Sequence, residues 1–230
     1  ILAPHQAARI RKMEKDSPWK EIEKDYIDFR QVYLCPLPSG KSINIFFYNG
    51  ALAHEVSFGG LLGNGEKFAN GLIANFSWEE QKPELVHIAT DGETFGHHHR
   101  FGDMALSFCL NHIEKNNLAK ITNYGEYLEF HPPIYEVQIV DNTSWSCVHG
   151  VERWRNDCGC HTGMNANWHQ QWRKPLREAM DWLRDQIMSL FEKEVSTYFK
   201  DVWQARNEYI TIILNRDPEN INSFLDQFAS

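Results

Sequence analysis

Apolar positions recur along this chain in two rhythms. Residues 42–48 (Ser-Ile-Asn-Ile-Phe-Phe-Tyr) are β-branched and aromatic, which predicts a strand. The nearly unbroken apolar run points to burial on both faces, as in a parallel sheet. Residues 84–90 form a second such run, 119–122 a brief third, and residues 1–6 resemble the end of another. Asn49-Gly50 is a turn signal. The other rhythm is helical. Residues 63–76 carry Phe68, Leu72 and Phe76 at i, i+4 and i+8. A helix is expected over about 102–115, with Met104, Phe108 and 110–113 inward, and a short one over 124–130. Residues 7–30 are polar, with helical patches at 7–15 and 19–26, and the charges from Arg9 to Lys24 read as a solvated face. Strand–helix alternation predicts an α/β fold with parallel strands.

A loop-rich stretch over 134–165 holds much Trp, Cys and His. Beyond it, Trp168, Trp172, Leu176, Met180, Leu183, Ile187 and Phe191 form one helical stripe, with Pro175 in a first turn or at a kink. Helices are expected over 198–214 and 220–228. The domain division expected is 1–163 and 164–230.

The 230 residues suffice for one large domain, or a medium one plus a smaller one. Lys and Arg number 23 against 31 Asp and Glu, a formal net charge of -8. That excludes the electrostatic footprint of a nucleic-acid binder and a basic face for an anionic membrane. No apolar run approaches the roughly 20 residues that span a bilayer. Aromatic content of 13%, with 8 Trp and 11 His, favours a wet cleft for a carbohydrate or other polar ligand. The chain opens Ile-Leu-Ala-Pro-His-Gln, without Met or an export pattern, and is expected to be a piece of a longer protein. Five Cys without an export signal suit reduced thiols in the cytoplasm.

Candidate chemistry concentrates in residues 86–99, Val-His-Ile-Ala-Thr-Asp-Gly-Glu-Thr-Phe-Gly-His-His-His. An apolar strand delivers Asp91 at its C-terminal end, where α/β folds place their sites. Asp91 and Glu93 are two apart and face one side while the chain stays extended. The plain alternative is a turn in which Asp91 caps a helix. His97 and His98 are candidates to line the cleft and hydrogen-bond sugar hydroxyls beside Glu93. His5, after the first strand end, is a candidate substrate contact or a loop anchor. Trp145 and Trp154 offer faces for pyranose rings, and His149 stands near them.

The string Thr-Asp-Gly-Glu-Thr-Phe-Gly, residues 90–96, resembles the fourth signature region of glycoside hydrolase family 57. That family holds α-amylases, 4-α-glucanotransferases and glycogen branching enzymes. The chain resembles in particular a branch whose catalytic-type N-terminal domain is joined to an uncharacterised C-terminal region. Residues 42–50, followed by Val56-Ser57-Phe58-Gly59, resemble the strand before this region, and residues 142–150 are loosely similar to the fifth region, which contains Cys and His. The Trp-rich helices fit the helical domain beside the barrel. The resemblance implies a (β/α)7 barrel and retaining cleavage or transfer of α-glucan bonds. A Glu would be the nucleophile, with Asp91 as general acid/base. The Glu belongs to a region expected upstream of Ile1, and no segment here matches it. The resemblance thus implies that the first barrel strands lie in a missing N-terminal part of the same protein.

No cofactor is implied, and the preferred assignment has no metal. Adjacent His97, His98 and His99 alternate in direction and suit a single ion poorly. The one set with zinc-ligand types is Cys147, His149, Cys158, Cys160 and His161, which lacks the usual Cys-x-x-Cys knuckle. Its alternative is a thiol-bearing loop at the barrel mouth. A Cys158–Cys160 disulfide would be strained. The rivals to a glucan-active enzyme are a metal-dependent polysaccharide hydrolase or deacetylase and a non-catalytic glucan-binding module.

Overall fold

The computed structural model describes the chain apart from residues 24–25, 79–81, 162, 164 and 166. The expected 19–26 helix is corrected at Lys20–Glu21, which form a strand, and that segment and the 163/164 boundary fall partly outside the described residues. Two compact units are present, Ile1–Val151 and Glu152–Ser230.

The first unit is mixed α/β. Its strands are β1 (Ala7–Lys12), β2 (Lys20–Glu21), β3 (Val32–Pro36), β4 (Ser42–Phe46) and β5 (Tyr135–Ile139), in the order β2-β1-β5-β3-β4. The expected parallel sheet is corrected: β3 and β5 pair in parallel, whereas β1·β2, β1·β5 and β3·β4 are antiparallel. Two features produce this. Gly40, at φ +79, closes a turn in which Leu37 N–H reaches Lys41 O at 2.8 Å, folding residues 42–46 back on Val32–Pro36. Residues 7–12, expected as helix, are held as a strand by cross-strand partners. Arg9 Nε donates to Gln138 Oε1 at 2.8 Å and Arg11 Nε to Glu136 Oε2 at 2.6 Å, while both guanidinium groups lie over Trp19. Such pairs override helix propensity.

Helices α1 (Gly50–Ser57), α2 (Gly65–Ile73), α3 (Gly102–Lys115) and α4 (Tyr124–Phe130) complete this unit. Asn49, Asn64 and Asn123 cap α1, α2 and α4, each Oδ1 accepting the N–H three residues on at 2.9–3.0 Å. Asn49-Gly50 is therefore a helix start. The inward face of α3 is Gly102, Ala105, Cys109 and Ile113, whereas Met104, Phe108 and Leu110 are exposed, a correction of one position. Small residues face inward because α2 lies close: a Cβ on Gly65 would stand 2.7 Å from Phe108 Cδ1 and 2.9 Å from Ala105 O. Phe68, Ala69, Cys109 and Ile113 share that core. Burying a side chain such as Phe68 is worth about 1.5–3 kcal/mol. Burial pushes the Cys109 thiol up to about 11.

Residues 84–90 and 119–122, expected as strands, lie outside the named strands. Residues 84–90 are nevertheless tethered along their length. Leu85 N–H donates to Arg30 O at 3.0 Å and His87 O accepts from Asn49 N at 3.4 Å. His87 is buried. Its Nε2–H donates to Phe29 O at 3.2 Å, and Nδ1 accepts from Tyr124 OH at 3.1 Å. Leu2 bridges Phe47 in parallel, as a strand end there requires.

The second unit is helical: α5 (Glu152–Arg155), α6 (Arg173–Val195), α7 (Val202–Glu208), α8 (Ile210–Leu214) and α9 (Pro218–Phe228). Pro175 sits in the first turn of α6. The stripe on α6 stays exposed at Leu176, Met180, Leu183 and Ile187, and the core of the unit is Ala205, Ile212, Phe224 and Phe228. The expected helix over 198–214 starts instead at Val202, where Asp201 caps it by accepting Gln204 N–H at 2.9 Å, and breaks at Tyr209. Among the described residues, no helix is long and apolar enough to cross a membrane.

Burial lowers the His87 pKa to about 4, against the raising effect of its backbone hydrogen bonds. An unfolded His titrates near 6.5. Between these values the unfolded chain binds the extra proton, so stability is complete above about pH 6.5 and falls as pH drops toward 4. The loss is at most on the order of 3 kcal/mol. Urea titrations across pH 4.5–7.5 should show this slope, and His87→Gln should flatten it. Gly65→Ala should cost about 1–3 kcal/mol by overpacking α2 on α3, read as a lower urea midpoint with unchanged m-value.

Candidate functional site

The tether at His87 fixes where residues 90–102 emerge. Asp91 has extended φ and ψ and precedes a single 3-10 turn, Gly92–Thr94. Its carboxylate does not cap that turn, and among the described residues it has no hydrogen-bond or ion-pair partner. It is exposed. The turn is held by other groups. Thr94 N–H reaches Asp91 O at 3.0 Å, and the Ser57, Thr90 and Thr94 hydroxyls form a chain at 2.8 and 2.9 Å. Thr94 is 3% exposed, so this chain is an internal brace. His99 Nε2 donates to Ser57 O at 2.7 Å, pinning the far side of the loop to the end of α1.

Between these anchors, Glu93, His97 and His98 project outward. His98 Nε2 stands 3.6 Å from Glu93 Oε2, and the two imidazole rings are 5.2 Å apart. The carbonyl of Glu93 accepts the N–H of both His97 and His98, which turns the chain and brings the adjacent histidines to one side. The structure therefore groups Asp91, Glu93, His97 and His98 on one exposed loop. Thr90, Thr94 and Ser57, which brace it, were not singled out from sequence, and His99 was weighed there only as a metal ligand. The hydroxyl residues at 90 and 94, four apart across a turn, were the available signal.

Other candidates stand elsewhere in the first unit. His5 Nε2 donates to Ser144 O at 3.0 Å, and Gln6 Nε2 to Thr143 Oγ1 at 3.1 Å, so both anchor the loop after β5. Trp145 on that loop is 63% exposed. The 460 Å³ cavity of this unit is apolar and lies away from Asp91, lined by Phe76, Leu85, Leu110, Ile121, Tyr127 and Phe130 among others. In the second unit, Trp154 and Trp172 line a 370 Å³ groove with Arg173, Leu176 and Met180.

Of the sulfur–imidazole set, Cys147 Sγ and His149 Nδ1 of the first unit are 3.7 Å apart, and Cys158 and Cys160 belong to the second unit. His161 Nδ1 accepts the Gly163 N–H at 2.9 Å. Cys35 and Cys109 are buried.

Residues 168–230 match a family described as a domain of unknown function, DUF3536. That domain is found in glycoside hydrolase family 57 proteins. The matched stretch lies within the second unit. No curated protein matches the chain.

Gly150 is the tightest point of the loop after β5. It has φ +61, and a Cβ there would be driven into Asn142 O. Gly150→Ala should open this loop, detected as new protease cleavage within residues 141–151 at a rate at least ten times that of the parent chain, with the first-unit helices retained by circular dichroism.

Proposed function

We propose that this chain belongs to a carbohydrate-active enzyme that cleaves or transfers α-glucan bonds with retention, and that Asp91 is its general acid/base. The observation that carries the reading is the Asp91 carboxylate, exposed and unpaired at the head of a braced loop. A carboxyl committed to capping or to an ion pair would be held in its ionised form by that partner and so would be a poorer proton donor. The family 57-like string over 90–96 and the DUF3536 match over 168–230 support the same reading from independent parts of the chain.

In this reading the parallel Leu2–Phe47 bridge and the Asn49–His87 hydrogen bond are traces of a (β/α)7-type barrel, whose earlier strands and Glu nucleophile come from a preceding segment of the same protein. A retaining enzyme keeps its two carboxyls about 5–5.5 Å apart. Asp91 gives its proton to the glycosidic oxygen as the bond to the anomeric carbon breaks and the nucleophile bonds to that carbon. Asp91 then takes a proton from water or an acceptor sugar hydroxyl as that oxygen bonds to the anomeric carbon and the bond to the nucleophile breaks, giving hydrolysis or transfer. Glu93, His97 and His98 hydrogen-bond sugar hydroxyls, and Trp145 offers a ring face to a pyranose.

The test is Asp91→Asn in the protein that carries the preceding segment. The kcat on maltooligosaccharide should fall by about 10²–10⁴-fold, with KM and glucan binding little changed. Retention of kcat within threefold would remove Asp91 from the mechanism. A metal-dependent reaction would show itself instead as loss of activity with chelator.

A further inference from the structure

The second unit carries an apolar surface that the chemistry proposed for Asp91 does not use. On α6, Leu176, Met180, Leu183, Ile187 and Leu190 follow one another at intervals of 4, 3, 4 and 3 residues, and each is 45–57% exposed. Alternating intervals of four and three keep these side chains on one line, the seam on which a second helix packs. At about 1.5 Å per residue the seam is roughly 21 Å long.

This seam forms the floor of a groove. At its N-terminal end, Trp154 of α5 and Trp172 stand beside Leu176 and Met180 around 370 Å³. Toward the C-terminal end, Trp203 of α7 lines a 500 Å³ stretch with Met180, Leu183 and Ile187, and Met180 belongs to both. Trp203 is fixed as a wall: its Nε1–H donates to Glu192 Oε1 at 2.8 Å, and its ring lies 5.5 Å from that of Phe191.

The charge around the groove has one sign. Arg153, Arg173 and Arg177 line the first stretch and Arg184 and Arg206 the second, and among the described residues no carboxylate lines either. The chain as a whole has a formal net charge of -8, so this rim departs from its surroundings. Asp181 and Asp185 pair with Arg184 at 2.9 and 2.8 Å. Those bonds occupy three of the five guanidinium N–H donors, and exposed pairs within one helix contribute little. A second copy suits the seam poorly. The flanking positions Arg177, Ala179, Arg184, Gln186 and Lys193 offer no carboxylate, so self-pairing sets basic side chains against one another. A bilayer presents a plane, which the Trp154 and Trp203 walls hold away from the seam.

We propose that the α6 groove of the second unit docks an acidic amphipathic helix. The helix lays apolar residues at i, i+3, i+4 and i+7 on the seam and turns flanking Glu or Asp toward the arginines. Apolar burial supplies the affinity, and the arginine–carboxylate pairs select the charge of the partner and fix its register. The glucan reading neither needs this site nor forbids it; either can fail alone.

The test uses the 230-residue chain and three synthetic helical peptides of about 21 residues. One has a Leu seam flanked by Glu, one the same seam flanked by Lys, and one the Glu flanks with Ala in place of the Leu seam. By fluorescence anisotropy the Glu-flanked peptide should saturate at one per chain, at least tenfold more tightly than the Lys-flanked one. The Ala-seam peptide should not bind. Arg177→Glu/Arg184→Glu should reverse the preference between the two Leu-seam peptides, and Leu183→Asp should weaken both at least tenfold. All three positions are exposed, so circular dichroism should show the helices retained. No saturation of the unaltered chain by about 100 µM, equal affinity for the two charged peptides, or binding unmoved by Leu183→Asp would each overturn the proposal. Dimerisation of the chain that Leu183→Asp abolishes would overturn it in favour of a second copy, and displacement of the Glu-flanked peptide by phosphatidylserine vesicles in favour of a lipid surface. The comparison of peptides on the unaltered chain decides even where a variant does not fold.

Discussion

The neutral imidazole of His87 is the constraint on which the candidate site rests. Residues 84–90 lack the continuous ladder of a strand, so their position depends on a few tethers. The His87 ring spans two of them, the Phe29 carbonyl on one side and the Tyr124 hydroxyl on the other. The neutral Nε2–H tautomer, which burial favours, meets both demands: Nε2–H donates to the carbonyl and Nδ1 accepts from the hydroxyl. Protonation would turn the acceptor into a donor facing a hydroxyl, in a setting that already disfavours charge. The ring also packs edge-on against Phe46 and Tyr124, so polar and aromatic contacts fix the same residue. From that point the chain has four residues to reach Asp91, too few to wander.

Beyond His87, the loop separates what is braced from what is offered. The Ser57–Thr90–Thr94 hydroxyl chain and the His99–Ser57 bond lie inside; Asp91, Glu93, His97 and His98 lie outside. Such a division suits a reactive group, since preorganised backbone with uncommitted side chains lowers the cost of meeting a ligand.

Much of the helical layer was legible from sequence. The helices at 102–115 and 124–130 begin and end where the apolar spacing put them, because that spacing reports burial on one face. The inward face of α3 was misread because bulky Met104 and Phe108 drew attention, whereas the close approach of α2 demands Ala105 and Cys109. The sheet was harder. Residues 7–12 read as a polar helix because their partners, Gln138, Glu136 and Trp19, are distant in sequence or seem unrelated to it. Residues 84–90 kept their extended course without a ladder, which periodicity alone does not foresee. At the site, Asp91 and its neighbours could be named from residue types, but the brace beneath them could not. Hydroxyl residues are common, and only the fold brings Ser57 to Thr90.

The most direct measurement is residue-resolved NMR of this chain titrated with a maltooligosaccharide. If Asp91 stands at a glucan-binding edge, amide shifts should move in a saturable way at residues 91–98, with Glu93, His97 and His98 among the largest. Saturable shifts confined to the apolar cavity around Tyr127 and Phe130, or an unmoved 91–98 loop in the presence of bound sugar, would contradict the account.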